Sequence, residues 1–193
     1  PLFARRGGGM AQQESINVLV VEDDAAARAN IAAILTGLWA CSHAPATSPP
    51  GYLLPSATGA AHSPLTIKVH LASYLNRGGI VMQLSDSEIQ VGRHHRWAEP
   101  LATQLQRSLE ARMPSGDEKT LTVELTRFQG LQGKDRDSAV ITGRWALTGN
   151  NGEVTQGRIQ WEAALDNGGY ANLVRTLDQG WQAVAAEIAA AMD

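Results

Sequence analysis

The stretch from Ser138 to Leu165 constrains this chain more than any other. "SAVITGRWALT" (138–148) and "EVTQGRIQWEAAL" (153–165) both alternate apolar with polar residues, and Gly149-Asn150-Asn151-Gly152 lies between them. Alternation with period two is the mark of a strand with one buried face, and a Gly/Asn-rich tetrapeptide between two such runs closes an antiparallel hairpin. A sheet is therefore required, and everything else must be arranged around it.

Further runs extend that sheet. "LTIKVHLA" (65–72) sets Leu65, Ile67, Val69 and Leu71 on one side, and "TLTVELTRF" (120–128) repeats the pattern. "YLLP" (52–55) is a short apolar run. "SYLNRGGIVMQL" (73–84) turns through Gly78-Gly79 into Ile80, Val81 and Met82, and "SDSEIQVG" (85–92) completes a hairpin-like pair with it.

Two segments change to helical spacing. Pro100 stands where a helix tolerates proline in its first turn, and Leu101, Leu105 and Leu109 follow at intervals of four, predicting a helix over 99–113. A longer helix is predicted over 169–191, where Tyr170, Leu173, Val174, Leu177, Trp181, Val184 and Ile188 make an apolar stripe wide enough to lie on a sheet. This order of strands and helices predicts an α/β fold, a three-layer sandwich with a mixed β-sheet flanked by helices.

Composition narrows the function. The formal net charge is -3, so no concentrated basic surface points to nucleic acid as a partner. The apolar runs fall short of the ~20 residues that span a bilayer. With one cysteine, Cys41, the chain can form no intramolecular disulfide, and no thiolate metal site can rest on that residue alone.

The setting of Cys41 is informative. Arg28 and Asn30 precede "IAAILTGLWA" (31–40), a run of the length used by secretory h-regions, with small Ala40 at its end. "SHAPATSPPG" (42–51) follows, with three prolines and no large apolar residue, and reads as an extended solvated tether. Leu38-Trp39-Ala40-Cys41 resembles a bacterial lipobox, departing from the usual pattern at Trp39. That resemblance implies lipidation at Cys41. It also gives Ser42 the sorting position, where a residue other than Asp points to the outer membrane. Residues 1–40 are then a disordered leader with a signal-peptide-like segment, 41–51 a lipidated tether and 52–193 the folded domain. Two or three acyl chains on one residue would hold permanently, since each buried methylene contributes roughly 0.8 kcal/mol.

"VLVVEDDAAARANIAAIL" (18–35) resembles the first strand and helix of a response-regulator receiver, which would cast Glu22, Asp23 and Asp24 as magnesium ligands. The rest of the chain does not follow that pattern. No Asp or Glu occurs from Ala25 to Ser85, so the acceptor carboxylate expected some forty residues on is missing.

Taken in order, the lipobox, "YLLP", "YLNRGGIVMQLSDSEIQV", "RWAEPLATQLQRSL", the strand ending "RFQG", "ITGRWALTG" and "YANLVRTLDQGWQAVAAEIAAAM" resemble the ABC-type transport auxiliary lipoproteins, the family that includes the paraquat-inducible protein C group. The resemblance implies a periplasm-facing lipoprotein anchored in the outer membrane. It would serve as a non-enzymatic auxiliary to an ABC transporter or MCE-protein system that moves lipids between membranes, with no cofactor of its own. Its partners would be subunits of that system and the lipid that holds the anchor. A structural envelope lipoprotein without a transport role is the alternative.

Trp97 with Glu99 and Pro100 matches the family's most recognisable local motif, and these residues together with Arg96 are candidate partner contacts. The same residues also read as an aromatic plug followed by a helix start. His94 and His95, adjacent on an extended segment, point to opposite faces and fit surface or hydrogen-bonding roles better than a metal. "GLQGK" (130–134) lacks the glycine spacing and the following Ser or Thr of a phosphate loop, and no G-x-S-x-G motif gathers a nucleophile with a base. Exposed apolar positions leave both partner docking and self-association of the chain open.

Overall fold

A computed structural model describes residues 51–58, 65–113, 119–166 and 168–192. Cys41, Ser42, the leader and the receiver-like stretch lie outside the described residues.

The described residues form one seven-stranded mixed sheet with two helices. The strands are β1 (Gly51–Tyr52), β2 (Thr66–Leu71), β3 (Gly79–Gln83), β4 (Ile89–Trp97), β5 (Thr120–Leu131), β6 (Ser138–Thr148) and β7 (Val154–Ala164). The helices are α1 (Leu101–Glu110) and α2 (Tyr170–Ala190), and short 3-10 turns cover Pro55–Thr58 and Leu75–Arg77.

The antiparallel unit β5–β6–β7 is the backbone of the sheet. The β6–β7 hairpin forms as its alternation requires, with Ser138 opposite Ala164 and Thr148 opposite Val154 in one unbroken register. Gly152 supplies the left-handed turn residue at φ 84°. On its other side β5 is shared: β2 runs parallel to its first half (Thr66 opposite Thr120) and β3 parallel to its end (Met82 opposite Gly130). Between them the chain leaves the sheet through the Leu75–Arg77 turn and returns at Gly78, whose φ of 77° is left-handed. β4 then pairs antiparallel with β3, and β1 runs parallel to the end of β4.

The α/β class, with a mixed sheet and helices packed on it, is what the chain adopts. Both helices share one face. α1 lies against β2 and α2 against β6 and β7. The two touch each other where the Trp181 indole N–H donates to the Leu105 carbonyl at 3.2 Å. The described residues therefore form two layers where the sequence predicts three, because the alternation in β5, β6 and β7 supplies most of their large apolar side chains to one face. Leu121, Val123, Leu125, Phe128, Ile141 and Trp145 are buried towards the helices. Glu124, Arg144 and Arg158, opposite one another across three strands, stand on the open face.

β4 also departs from expectation. It begins at Ile89 rather than Ser85 and continues through the two histidines to Trp97. A register shift between Gly79 and Val81 lets β3 and β4 stay paired to that end.

Candidate functional site

The first described residues are bound into the edge of the sheet. Gly51 and Tyr52 pair with Arg96 and Trp97, and the Tyr52 carbonyl accepts from the Ala98 N–H at 2.9 Å. A β-carbon on Gly51 would sit 2.7 Å from that of Ala98, so only glycine lets the strand come this close.

Past this strand the backbone is held by side chains from both helices. The Leu54 N–H donates to Gln104 Oε1 at 2.7 Å, and Gln104 Nε2 donates to the Glu99 carbonyl at 3.0 Å. The Ser56 N–H and hydroxyl both donate to Asp178 Oδ1, at 3.0 and 2.5 Å, and the Ser56 and Ser108 hydroxyls are 2.6 Å apart. Gln182 Nε2 donates to the second Asp178 oxygen at 2.7 Å, and Arg112 Nη2 donates to Gln182 Oε1 at the same distance. Gln104, Ser108 and Asp178 are buried, and none of the buried side-chain polar atoms among the described residues lacks a partner. A network satisfied to this degree fixes one arrangement, since loosening any member strands the rest in a poor solvent. The segment 54–57 is thus clasped by α1 and α2 together. Ser56 and Asp178 are joined here as clasp members, with the Ser108 hydroxyl and the Gln182 amide as their other partners rather than an imidazole.

The predicted motif divides between core and surface. Trp97 is 8% exposed, with its ring 6.3 Å from Phe128. It is the aromatic plug. Arg96 points outward, and its Nη2 donates to the Arg77 carbonyl at 3.1 Å, across the Gly78 turn. Glu99 pairs with Arg107 at 3.1 Å on the surface. Pro100 caps the start of α1 and is exposed. Arg96, Glu99 and Pro100 are therefore reachable by a partner, and Trp97 supports them from beneath.

The histidines separate as adjacent strand residues must. His94 is exposed. His95 is half-buried, its ring stacked on Tyr170 at 3.9 Å and its Nδ1 3.1 Å from the Tyr52 hydroxyl. No group of three or more metal-ligating side chains occurs among the described residues. Tyr170 also borders a groove of about 180 Å³ lined by Met82, Leu84, Leu165 and Leu173. On the open face a shallow depression of about 610 Å³ is lined by Glu124, Thr126, Arg144, Gln156 and Arg158.

Tyr74 crosses the open face at the break between β2 and β3. Its hydroxyl lies 2.6 Å from the Thr126 carbonyl and 2.7 Å from Gln129 Oε1. Burial pushes the phenol above its ordinary value, and the nearby Arg127 charge acts in the opposite direction.

The pattern that defines the ABC-type transport auxiliary lipoprotein component fits residues 52–189, from the clasped segment to the last turn of α2. The chain belongs to that family. Among individual proteins it is similar to the intermembrane transport lipoprotein PqiC of Escherichia coli (strain K12). The two are 29% identical over 136 residues, 63% of this chain and 70% of that one, and the Shigella flexneri protein of the same name matches equally. One crystal structure of an uncharacterised protein superposes with a TM-score of 0.64 at 30% identity, covering 74% of this chain and 97% of the other. Protein XCC0632 from Xanthomonas campestris shares the fold, with a TM-score of 0.57 at 17% identity over 72% of this chain and 90% of its own. Family membership makes the chain an auxiliary transport lipoprotein. Every element that builds the clasp falls inside the matched region.

The clasp is what sequence reasoning misses. Gln104 and Ser108 sit beside the leucine stripe of α1, and Asp178 lies between Leu177 and Trp181, so polar residues on the rim of two apolar stripes were the available signal. Their common partners, Leu54 and Ser56, are far away along the chain.

Proposed function

We propose that this chain is an outer-membrane-anchored, periplasm-facing lipoprotein that acts as a non-enzymatic auxiliary component of an ABC- or MCE-type system carrying lipids between membranes. The observation that carries this reading is the family match over residues 52–189, which begins just after the Cys41 lipobox and its proline-rich tether. Lipidated Cys41 is the anchor, and Ser42 directs it to the outer membrane. The similarity to a protein named for intermembrane transport supports traffic between membranes.

The clasp suits such a module. A domain that hangs from a lipid and docks on a transporter passes load through the start of its folded part, and here Leu54 and Ser56 are hydrogen-bonded to both helices. Arg96, Glu99 and Pro100 lie next to that point and form the contact for a transporter or MCE subunit. The work of the protein is binding, with ATP hydrolysed elsewhere.

Mass spectrometry of the membrane-extracted protein tests the anchor, and the expected N-terminus is a lipid-modified Cys41. An unmodified chain that still carries residues 1–40 would sink it. Affinity purification from intact, crosslinked envelopes tests the partner. Recovery of transporter or MCE subunits, reduced by Arg96→Glu, is expected. Recovery of envelope lipoprotein without any such subunit would favour a purely structural role.

A further inference from the structure

The face of the sheet that the helices leave bare is basic. Arg158, Arg144, Glu124 and His70 lie opposite one another across β7, β6, β5 and β2. Strand alternation adds Lys68 and Glu162 to the same side, and Arg127 joins them opposite Thr142. Lys68, Arg127, Arg144 and Arg158 thus meet only Glu124 and Glu162 here, on a chain whose formal net charge is -3. Glu124 is taken by Arg144 and Glu162 by the Ser138 hydroxyl, while Lys68, Arg127 and Arg158 form no ion pair among the described residues. Arg158 also stands directly opposite Arg144, and like charges so placed destabilise a sheet. An anion lying over the pair would relieve that cost.

The surface is a platform rather than a pocket. The depression over Glu124, Arg144 and Arg158 is shallow and the Arg144 side chain is mostly exposed, so one small anion would stay largely in water and be weakly held. A layer of anions suits it better, because cations spread over a flat face can each meet one. Exposed aliphatic side chains lie on the same side. Ile89 is opposite Gln83, whose Oε1 accepts from Arg127, and Val154 is opposite Thr148 at the other edge. Basic groups with exposed aliphatic ones between water and lipid are the composition of a surface that lies on an anionic bilayer. Such a bilayer is within reach, since the described fold starts at Gly51 and ten residues of chain from Cys41 extend at most about 35 Å.

We propose that the bare face of the sheet rests on the membrane, binding anionic phospholipid headgroups through Lys68, Arg127 and Arg158. The proposal rests on the reading of Cys41 as the lipid anchor, and it leaves Arg96, Glu99 and Pro100 to a transporter or MCE subunit. Acyl chains hold the protein at the surface, and the basic face sets how it lies there.

The test uses the lipidated protein reconstituted into vesicles of phosphatidylcholine, alone or with phosphatidylglycerol. Acylation consumes the thiol of Cys41, the only cysteine of the chain, so an introduced thiol takes a fluorophore alone. Gln160→Cys places it on the bare face and Gln179→Cys on the exposed side of α2. A quencher carried on the lipid headgroups should darken the Gln160 label in phosphatidylglycerol vesicles and leave the Gln179 label bright. The difference should vanish in phosphatidylcholine alone and fade as salt rises. Each basic residue at an anionic surface is worth roughly a factor of five, so Lys68→Gln with Arg158→Gln should weaken the contact roughly 25-fold, seen as loss of quenching at lower salt. Arg175→Gln, exposed on α2, should change nothing, and thermal unfolding should show all these variants folded. Mass spectrometry of the same sample reports the lipid. If Cys41 carries none, the anchor reading fails and this proposal falls with it. A lipidated sample whose two labels respond alike, or respond equally in both kinds of vesicle, overturns this proposal alone and leaves the face to an acidic protein partner. So does an Arg175→Gln variant that weakens quenching as much as the double variant.

Discussion

The clasp and the open face of the sheet both consist of polar side chains bonded to one another, yet they contribute very differently to the molecule. At the clasp, Asp178 is 3% exposed and accepts three hydrogen bonds, from Ser56 twice and from Gln182. On the open face, Glu124 and Arg144 make a close ion pair whose arginine is 74% exposed. Water competes freely for the second pair and has little access to Asp178 in the first. Burial thus turns ordinary polar contacts into a lock that specifies where residues 54–57 must lie, while an exposed pair of better geometry adds little.

The helix layer that encloses the clasp sets the upper limit of that contrast. Trp181 is fully buried, packs edge-on to Phe128 and donates to the Leu105 carbonyl. Trp181→Ala should cost about 3–5 kcal/mol in denaturant unfolding through the cavity it leaves. A cost near that of an exposed substitution would mean that the two helices do not depend on one another.

Asp178→Ala attacks the clasp itself. It takes the acceptor from the Ser56 N–H and from the half-buried Gln182 amide, while the Ser56 hydroxyl keeps Ser108 as its partner, so a loss of about 1–3 kcal/mol is expected. Hydrogen exchange should also speed up at the Leu54 and Ser56 amides before the rest of the sheet. Uniform destabilisation with those amides still protected would break the comparison, since the clasp would then be part of the general core.

Much of this architecture is legible in the letters. The β6–β7 hairpin and both helices are read to within a few residues, because each depends on local alternation, a turn or a stripe. The broken edge made by β2 and β3 is not legible. Both strands run parallel to β5, and nothing local in "LTIKVHLA" or "GIVMQ" specifies a partner some fifty residues further on. The number of layers fails for a related reason: an apolar stripe shows that a helix is buried, not which face of the sheet it covers. Of the site, the Trp97 plug is legible from its aromatic ring beside a helix start. The clasp is not, because Ser56 and Asp178 are 122 residues apart.

Tyr74 lies between the two extremes, half-buried on the otherwise open face. Its raised pKa means that the fold favours the protonated phenol. The stabilisation is present in full below the unfolded value of about 10 and is lost as pH rises through the higher folded value. Unfolding curves taken across the alkaline range should therefore decline more steeply for the wild type than for Tyr74→Phe. Identical slopes would show that the phenol titrates as freely as in the unfolded chain.

The smallest effect belongs to the ion pair. Glu124→Gln removes the carboxylate from Arg144 and should cost under about 1 kcal/mol, a loss that shrinks further as salt screens the charges. It also leaves Arg144 and Arg158 facing one another with no counter-charge, so what cost there is should come from their repulsion. Adding Arg158→Gln ought then to recover most of it. If the double variant were instead no more stable than Glu124→Gln alone, the open face would owe its stability to the geometry of the Glu124–Arg144 fork, and its polar groups would be closer in kind to the clasp than their exposure implies.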